Sequence, residues 1–204
     1  DYTKAIEIDP SNSELHFERG NTYVAQARYD LAIIDYDQSI KINPQFSLSY
    51  TNKGAVLVQQ KQYASAIPDL QKAIQINPKD YDAYNNLGFC YTMQGQDDLA
   101  IPLYFKALEI NPQYTRSYAN LGLTYFFQGK YDLVISTFNK IIEIDPTFPS
   151  TSPFVYRLMG LCHEKLGQKD KALESYRLFL KYAGSQILNK EIEETKQRIA
   201  ELSK

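Results

Sequence analysis

Apolar residues along this chain recur at helical spacing and are interrupted at regular intervals by turn-forming residues. From residue 81 onward, Ala83, Tyr84, Leu87, Gly88 and Tyr91 fall at the i, i+3, i+4 steps that line one helical face. Leu99, Ala100, Leu103, Tyr104, Ala107, Leu108 and Ile110 do the same for a second helix. Between them Gly95 stands where a helix end calls for a left-handed backbone, and Asn111-Pro112 closes the second helix. The pattern predicts a helix hairpin over residues 81–112.

The same hairpin is written several times. Pro10, Pro44, Pro78, Pro112 and Pro146 are 34 residues apart, and Gly20, Gly54, Gly88 and Gly122 keep that step. So do Ala32, Ala66, Ala100 and Val134, and likewise Tyr36, Leu70, Tyr104 and Phe138. A two-helix unit repeated at this length predicts an all-α solenoid, in which each unit buries its apolar face against its neighbours. Within one unit Tyr84, Leu87, Gly88, Tyr91, Ala100, Tyr104, Ala107 and Pro112 follow in the order of the tetratricopeptide repeat, and the chain resembles that family over nearly its whole length. The resemblance implies a right-handed α-solenoid of tandem helix-turn-helix units with a C-terminal capping helix.

The register places repeats at 13–46, 47–80, 81–114, 115–148 and 153–184, all within a single solenoid spanning 1–204. Residues 1–12 match only the second helix of a repeat, which reads as a fragment or a processed chain. Pro68 and Pro102 fall inside second helices, near their starts, where backbone N–H groups have few intrahelical partners. The period breaks once: the segment from Thr147 to Pro153 carries four extra residues, TFPSTSP, read either as a surface loop or as a device that re-angles the last repeat. Residues 185–204 are amphipathic, with Leu188, Ile192, Thr195, Ile199 and Leu202 on one face, and predict a capping helix; a dimerising coiled coil is the rival.

Composition narrows the function classes. Hydrophobic residues make up 44% and charged residues 23% of 204, as in folded proteins rather than disordered ones. The net charge of −2 gives no reason to expect nucleic acid as a partner, and no apolar run is long enough to insert in a membrane. Residues 1–102 carry 8 basic and 13 acidic side chains, residues 103–204 carry 14 and 11, a balance of −5 against +3 that biases a ligand's orientation. Cys90 and Cys162 occupy the same repeat position two units apart, too far for a disulfide, and read as small buried residues. The compartment stays open, leaning to a reducing, cytoplasmic one.

Catalytic patterns are missing. His16 and His163 sit at core-type positions with no carboxylate or cysteine at ligand spacing, and there is no HExxH, GxSxG or phosphate-cradling glycine loop. The sequence therefore predicts no enzyme, no metal and no cofactor.

What remains is a binding surface. The family resemblance assigns the concave groove to positions two, five, six, nine, twelve and thirteen of each first helix. Carried onto this chain these include Phe17, Asn21, Leu48, Asn52, Asn85, Asn86, Phe89, Met93, Arg116, Asn120, Leu123 and Phe127, with Arg157 in the last repeat. Position six reads Asn52, Asn86, Asn120 in consecutive repeats, although Asn costs about 0.6 kcal/mol relative to Ala in a helix. A carboxamide both donates and accepts, so a ladder of them can pair with the backbone of an extended peptide. This is similar to the asparagine array of O-linked N-acetylglucosamine transferases; the rival reading has these side chains facing water or bonding neighbouring helices.

Glu14, Glu18 and Asp82 lie toward one end, and Arg116, Arg157 and Lys165 toward the other. The two-carboxylate clamp that captures chaperone tails is not matched, since Thr51, Ala55 and Asn120 stand where its Lys, Asn and Arg belong. Expectation thus settles on a non-enzymatic adaptor that binds an extended or amphipathic segment of a protein partner. A substrate-recruiting arm of a larger enzyme such as a glycosyltransferase, and a scaffold that forms homo-oligomers, remain as alternatives.

Overall fold

The computed structural model describes residues 2–184 and 189–204, and the chain clusters into two compact units, Asp1–Pro112 and Gln113–Lys204. The first holds α1 (Tyr2–Ile8), α2 (Ser13–Ala25), α3 (Tyr29–Ile42), α4 (Ser47–Gln59), α5 (Tyr63–Ile76), α6 (Tyr81–Met93) and α7 (Asp97–Ile110). The second holds α8 (Thr115–Phe127), α9 (Tyr131–Ile144), α10 (Phe148–Thr151), α11 (Phe154–Lys165), α12 (Lys169–Tyr182) and α13 (Asn189–Leu202). No strand occurs among the described residues. Each unit is a stack of helix pairs of the α-solenoid type. In the first, α2 packs on α3, α4 on α5 and α6 on α7, while α2 also touches α4 and α4 touches α6.

The Asn-Pro and Asp-Pro steps end the second helices for two reasons. A residue before proline is pushed out of the α region, and Asn43, Asn77, Asn111 and Asp145 have φ of −128°, −124°, −130° and −131°. Their side chains then hold the turn: Asn43 Oδ1 accepts from Gln45 N at 3.1 Å, Asn77 Oδ1 from Lys79 N at 3.1 Å, and Asp145 Oδ1 from Thr147 N at 2.9 Å. At the end of the next turn, Asp80 caps α6 by accepting from Ala83 N at 3.0 Å, and its other oxygen accepts from Thr51 Oγ1 of α4 at 2.6 Å.

The packing centre of every repeat is the glycine of the first helix against the large residue 16 positions on. A Cβ on Gly20, Gly54, Gly88, Gly122 or Gly160 would stand 2.8, 2.6, 2.8, 2.8 or 2.5 Å from Tyr36, Leu70, Tyr104, Phe138 or Tyr176. Ala32, Ala66, Ala100, Val134 and Ala172 are fully buried beside them, small enough to let the second helices close in.

Three features depart from the sequence expectation. Pro68 and Pro102 are sixth in α5 and α7, past the first turn, so each helix forgoes one hydrogen bond; both sit on the exposed face, where water can serve the carbonyl left over. The four-residue insertion folds into α10, with Pro149 and Pro153 buried, so it is a packed element of the second unit rather than a loose loop. The left-handed turn residue is shared by Gly95, Gly129 and Gly167 with φ near +70°, but also by Ala27 at 55° and Lys61 at 61°. A residue with a Cβ pays there for its backbone. Ala27→Gly and Lys61→Gly are each expected to stabilise the chain by about 0.5–1 kcal/mol, net of the extra freedom of the unfolded glycine; a lower urea midpoint for both variants would refute this.

Residues 185–188, including Leu188 of the expected cap, lie outside the described residues. The described part, α13, packs on α12 and buries Thr195. Its ion pairs reach further: Arg157 Nη2 donates to Glu194 at 2.8 Å, and Arg198 forks onto Glu164, with Nε to Oε2 at 2.8 Å. The Arg198 guanidinium holds the Glu164 carboxyl below the usual carboxylate range. Arg198 and Glu164 are 34 residues apart, so α13 continues the repeat register.

Candidate functional site

The first helices present the positions that the sequence assigns to binding, and the structure sorts them. In α2, Phe17 is buried, its ring 5.0 Å from Phe46 and 6.0 Å from Tyr36, so it belongs to the core. Asn21, one turn on, is half-buried. Its Oδ1 accepts from Tyr36 OH at 2.8 Å and from Asn52 Nδ2 at 2.9 Å. Both lone pairs of that oxygen are thereby used, and α2, α3 and α4 are tied at one point. Burial pushes the Tyr36 phenol up to about 12, so it remains a neutral donor across the physiological range.

In α4, Leu48 is exposed and Asn52 half-buried, while Thr51 is buried on Asp80. In α6, Asn85 and Asn86 are both buried, with Asn85 Nδ2 3.5 Å from Asn86 Oδ1. Phe89 is half-buried against the Tyr63 ring at 6.1 Å, and Met93 is about half exposed. Asn52 and Asn86 thus have internal partners, and of the two it is Asn52 that reaches the surface. Between α2 and α4 lies a cavity of about 380 Å³, with Asn21, Val24, Asn52, Ala55, Val56 and Gln59 in its wall.

In the second unit Asn120 is half-buried, Leu123 is 39% exposed and Phe127 76% exposed, the most open aromatic ring of α8. The Phe126 and Phe127 rings meet edge-on at 6.1 Å, and Phe126 also meets the Tyr131 ring at 6.1 Å. Arg116 is exposed, with its guanidinium 5.7 Å over the Tyr114 ring. Arg157 is already engaged by Glu194 of α13, and the two help line a cavity of about 150 Å³ with Leu161, Tyr176, Thr195 and Arg198. The part played by α13 in occupying Arg157 was not legible in the sequence; the 34-residue offset from Glu164 to Arg198 was the available signal.

The remaining candidates serve packing. His16 Nδ1 stands 3.4 Å from Asp35 Oδ1 and His163 Nδ1 2.8 Å from Gln168 Oε1, both rings buried. Cys90 and Cys162 are free thiols, pushed up by burial to about 11 and about 12. Among the described residues, no helix is long and apolar enough to cross a membrane.

Stacked helix pairs, each with a glycine seated against a large side chain of the second helix, and first helices that turn side chains outward, define a tandem-repeat α-solenoid protein. Models of the tetratricopeptide repeat match residues 1–34, 35–67, 81–114 and 115–148, a further TPR repeat model matches 54–95, and another tetratricopeptide repeat model matches 155–197. The chain belongs to the tetratricopeptide repeat family. It is similar to a MamA crystal structure at 30% identity, with a TM-score of 0.65 over 72% of this chain and 85% of that one. A second MamA structure is 25% identical with a TM-score of 0.72, covering 83% and 91%. YrrB, described as a TPR protein with an unusual peptide-binding site, shares the fold at 23% identity, with a TM-score of 0.69 over 89% and 91%. No curated protein sequence matches significantly.

Proposed function

We propose that this chain is a non-enzymatic interaction scaffold whose first-helix surface binds an extended or amphipathic segment of a partner protein. The observation that carries the reading is the surface of the first unit, where a fixed carboxamide at Asn52 stands in the wall of a cavity of about 380 Å³ and the apolar side chains of Leu48 on α4 and Met93 on α6 are exposed. Exposed apolar groups grouped around fixed polar ones suit a peptide ligand, the apolar groups supplying affinity and the polar ones register. The existence of a peptide-binding site in YrrB, a protein of the same fold, makes the use of such a surface reasonable here.

A few net hydrogen bonds at about 0.5–1.5 kcal/mol each and two or three apolar side chains at about 1.5–3 kcal/mol, less the ordering cost, amount to micromolar affinity. Peptides selected by phage display on the chain supply ligands for the test. The double variant Leu48→Glu, Met93→Glu is expected to fold normally, both positions being exposed, and to bind the selected peptides at least tenfold more weakly. Binding unchanged by that variant and by Asn52→Ala would remove the first-helix surface from the mechanism.

A further inference from the structure

The charges on the first helices of the first unit are divided by direction. Its two cations turn toward the second helices. Arg19 places Nε and Nη2 on Asp35 at 2.7 and 2.8 Å, and Lys53 bridges Asp37 and Asp69 at 2.7 and 3.1 Å. The other charged side chains on α2, α4 and α6 are Glu14, Glu18 and Asp82, all acidic. Glu14 is exposed, and Glu18 has only a long contact at 3.4 Å from Asn21 Nδ2 on its carboxylate. Residues 1–112 carry nine Lys and Arg against fourteen Asp and Glu, a net of −5, so the wider field has the same sign.

The cavity between α2 and α4 has a matching polarity. Asn52 spends its Nδ2 on Asn21, and Gln59 spends its Nε2 on Tyr29 OH at 2.6 Å. Asn52 Oδ1 and Gln59 Oε1 accept no hydrogen bond among the described residues and are open to a ligand's donors. Val24, Ala55 and Val56 give the same cavity apolar wall, and the small side chain at Ala55 keeps it open. Apolar wall, acceptor oxygens and carboxylates on the neighbouring turns of α2 fit a side chain with an aliphatic stem and a cationic, donor-only head.

We propose that this cavity is a subsite for a basic side chain, lysine or arginine, of the segment that the scaffold binds; the assignment rests on the reading of the first-helix surface given above. The subsite disfavours acidic side chains by charge, since a carboxylate would lie close to Glu18 in a unit of net charge −5.

The probes are capped nine-residue peptides of alternating Ser and Val with Lys, Arg, norleucine or Glu at the centre, titrated into the uniformly 15N-labelled chain and followed through its backbone and side-chain amide resonances. The Lys and Arg peptides are expected to shift the Asn52 and Gln59 side-chain amides and to bind about tenfold more tightly than the norleucine peptide, with the Glu peptide weakest. Glu18→Gln is expected to reduce the Lys preference about threefold, and raising the salt concentration to weaken it further. Ala55→Phe, which fills the cavity, is expected to abolish the preference while the peptides still shift other first-helix resonances. Equal binding of the Lys and norleucine peptides on α2, α4 and α6 would overturn the subsite and leave the binding surface standing. Failure of every peptide to shift a resonance on those helices would overturn both.

Discussion

Tyr104→Ala is expected to cost about 3–5 kcal/mol, the range for removing a fully buried aromatic ring. The ring has no exposed surface, its hydroxyl lies 3.0 Å from Thr92 Oγ1, and its edge lies where a Cβ on Gly88 would come within 2.8 Å. Gly88→Ala alone is expected to cost about 1–3 kcal/mol, because the added methyl drives the ring off its site in a packed interior. Combined with Tyr104→Ala, the same change should become neutral or favourable, since the space is vacant and alanine exceeds glycine by about 1 kcal/mol in helix propensity. Urea unfolding of the four proteins gives the coupling. Simple additivity would mean that the glycine is not there to seat the ring.

Asp35→Ala is expected to cost about 2–3 kcal/mol. Asp35 is 2% exposed, accepts two charge-assisted bonds from Arg19 at 2.7 and 2.8 Å, and has the His16 ring nitrogen at 3.4 Å. Deleting one partner of a fully buried pair costs about 3–5 kcal/mol because the other charge is stranded. The Arg19 side chain keeps 23% of its surface in water and rehydrates in part, which lowers the figure. Asp37→Ala provides the contrast: Asp37 is 54% exposed, and Lys53 retains Asp69, so the loss should stay within about 1 kcal/mol. If the two aspartates prove equal in cost, burial is not what sets the strength of the Asp35 pair. Replacing Arg19 and Asp35 together by Met and Leu should recover most of the loss, since no charge is then left without its partner.

The repeat architecture was legible because its physical requirements recur in the residues themselves. A proline after Asn or Asp can only stop a helix, a glycine 16 residues before a large apolar side chain marks a contact with no room for a methyl, and both recur with the period of the unit. The turn position was legible at Gly95, Gly129 and Gly167 and hidden at Ala27 and Lys61, where the backbone bonds that close the helices, Arg28 N–H to Tyr23 O and Gln62 N–H to Leu57 O, both at 2.8 Å, accompany a left-handed conformation that a side chain disfavours. Pro68 and Pro102, read as close to the helix start, stand sixth in α5 and α7, past the first turn.

The candidate surface was legible at the level of which helices bear it. Position within the repeat identified Leu48, Asn52, Met93, Leu123 and Phe127, all of which reach solvent at least in part. The same rule also selected Phe17, Asn85 and Asn86, which are buried, because repeat position gives the direction of a side chain and not the bulk of the neighbours that cover it. Sequence by itself determined the solenoid, its period and the helices that carry the surface, since these follow from periodicity and backbone stereochemistry. Tertiary structure alone decided that the Asn52 carboxamide donates to Asn21, that Arg19 and Lys53 pair with aspartates of the second helices, and that α13 occupies Arg157. Each of those outcomes depends on which hydrogen-bond partner lies within about 3 Å, a distance set by helices that are remote in sequence and adjacent in space.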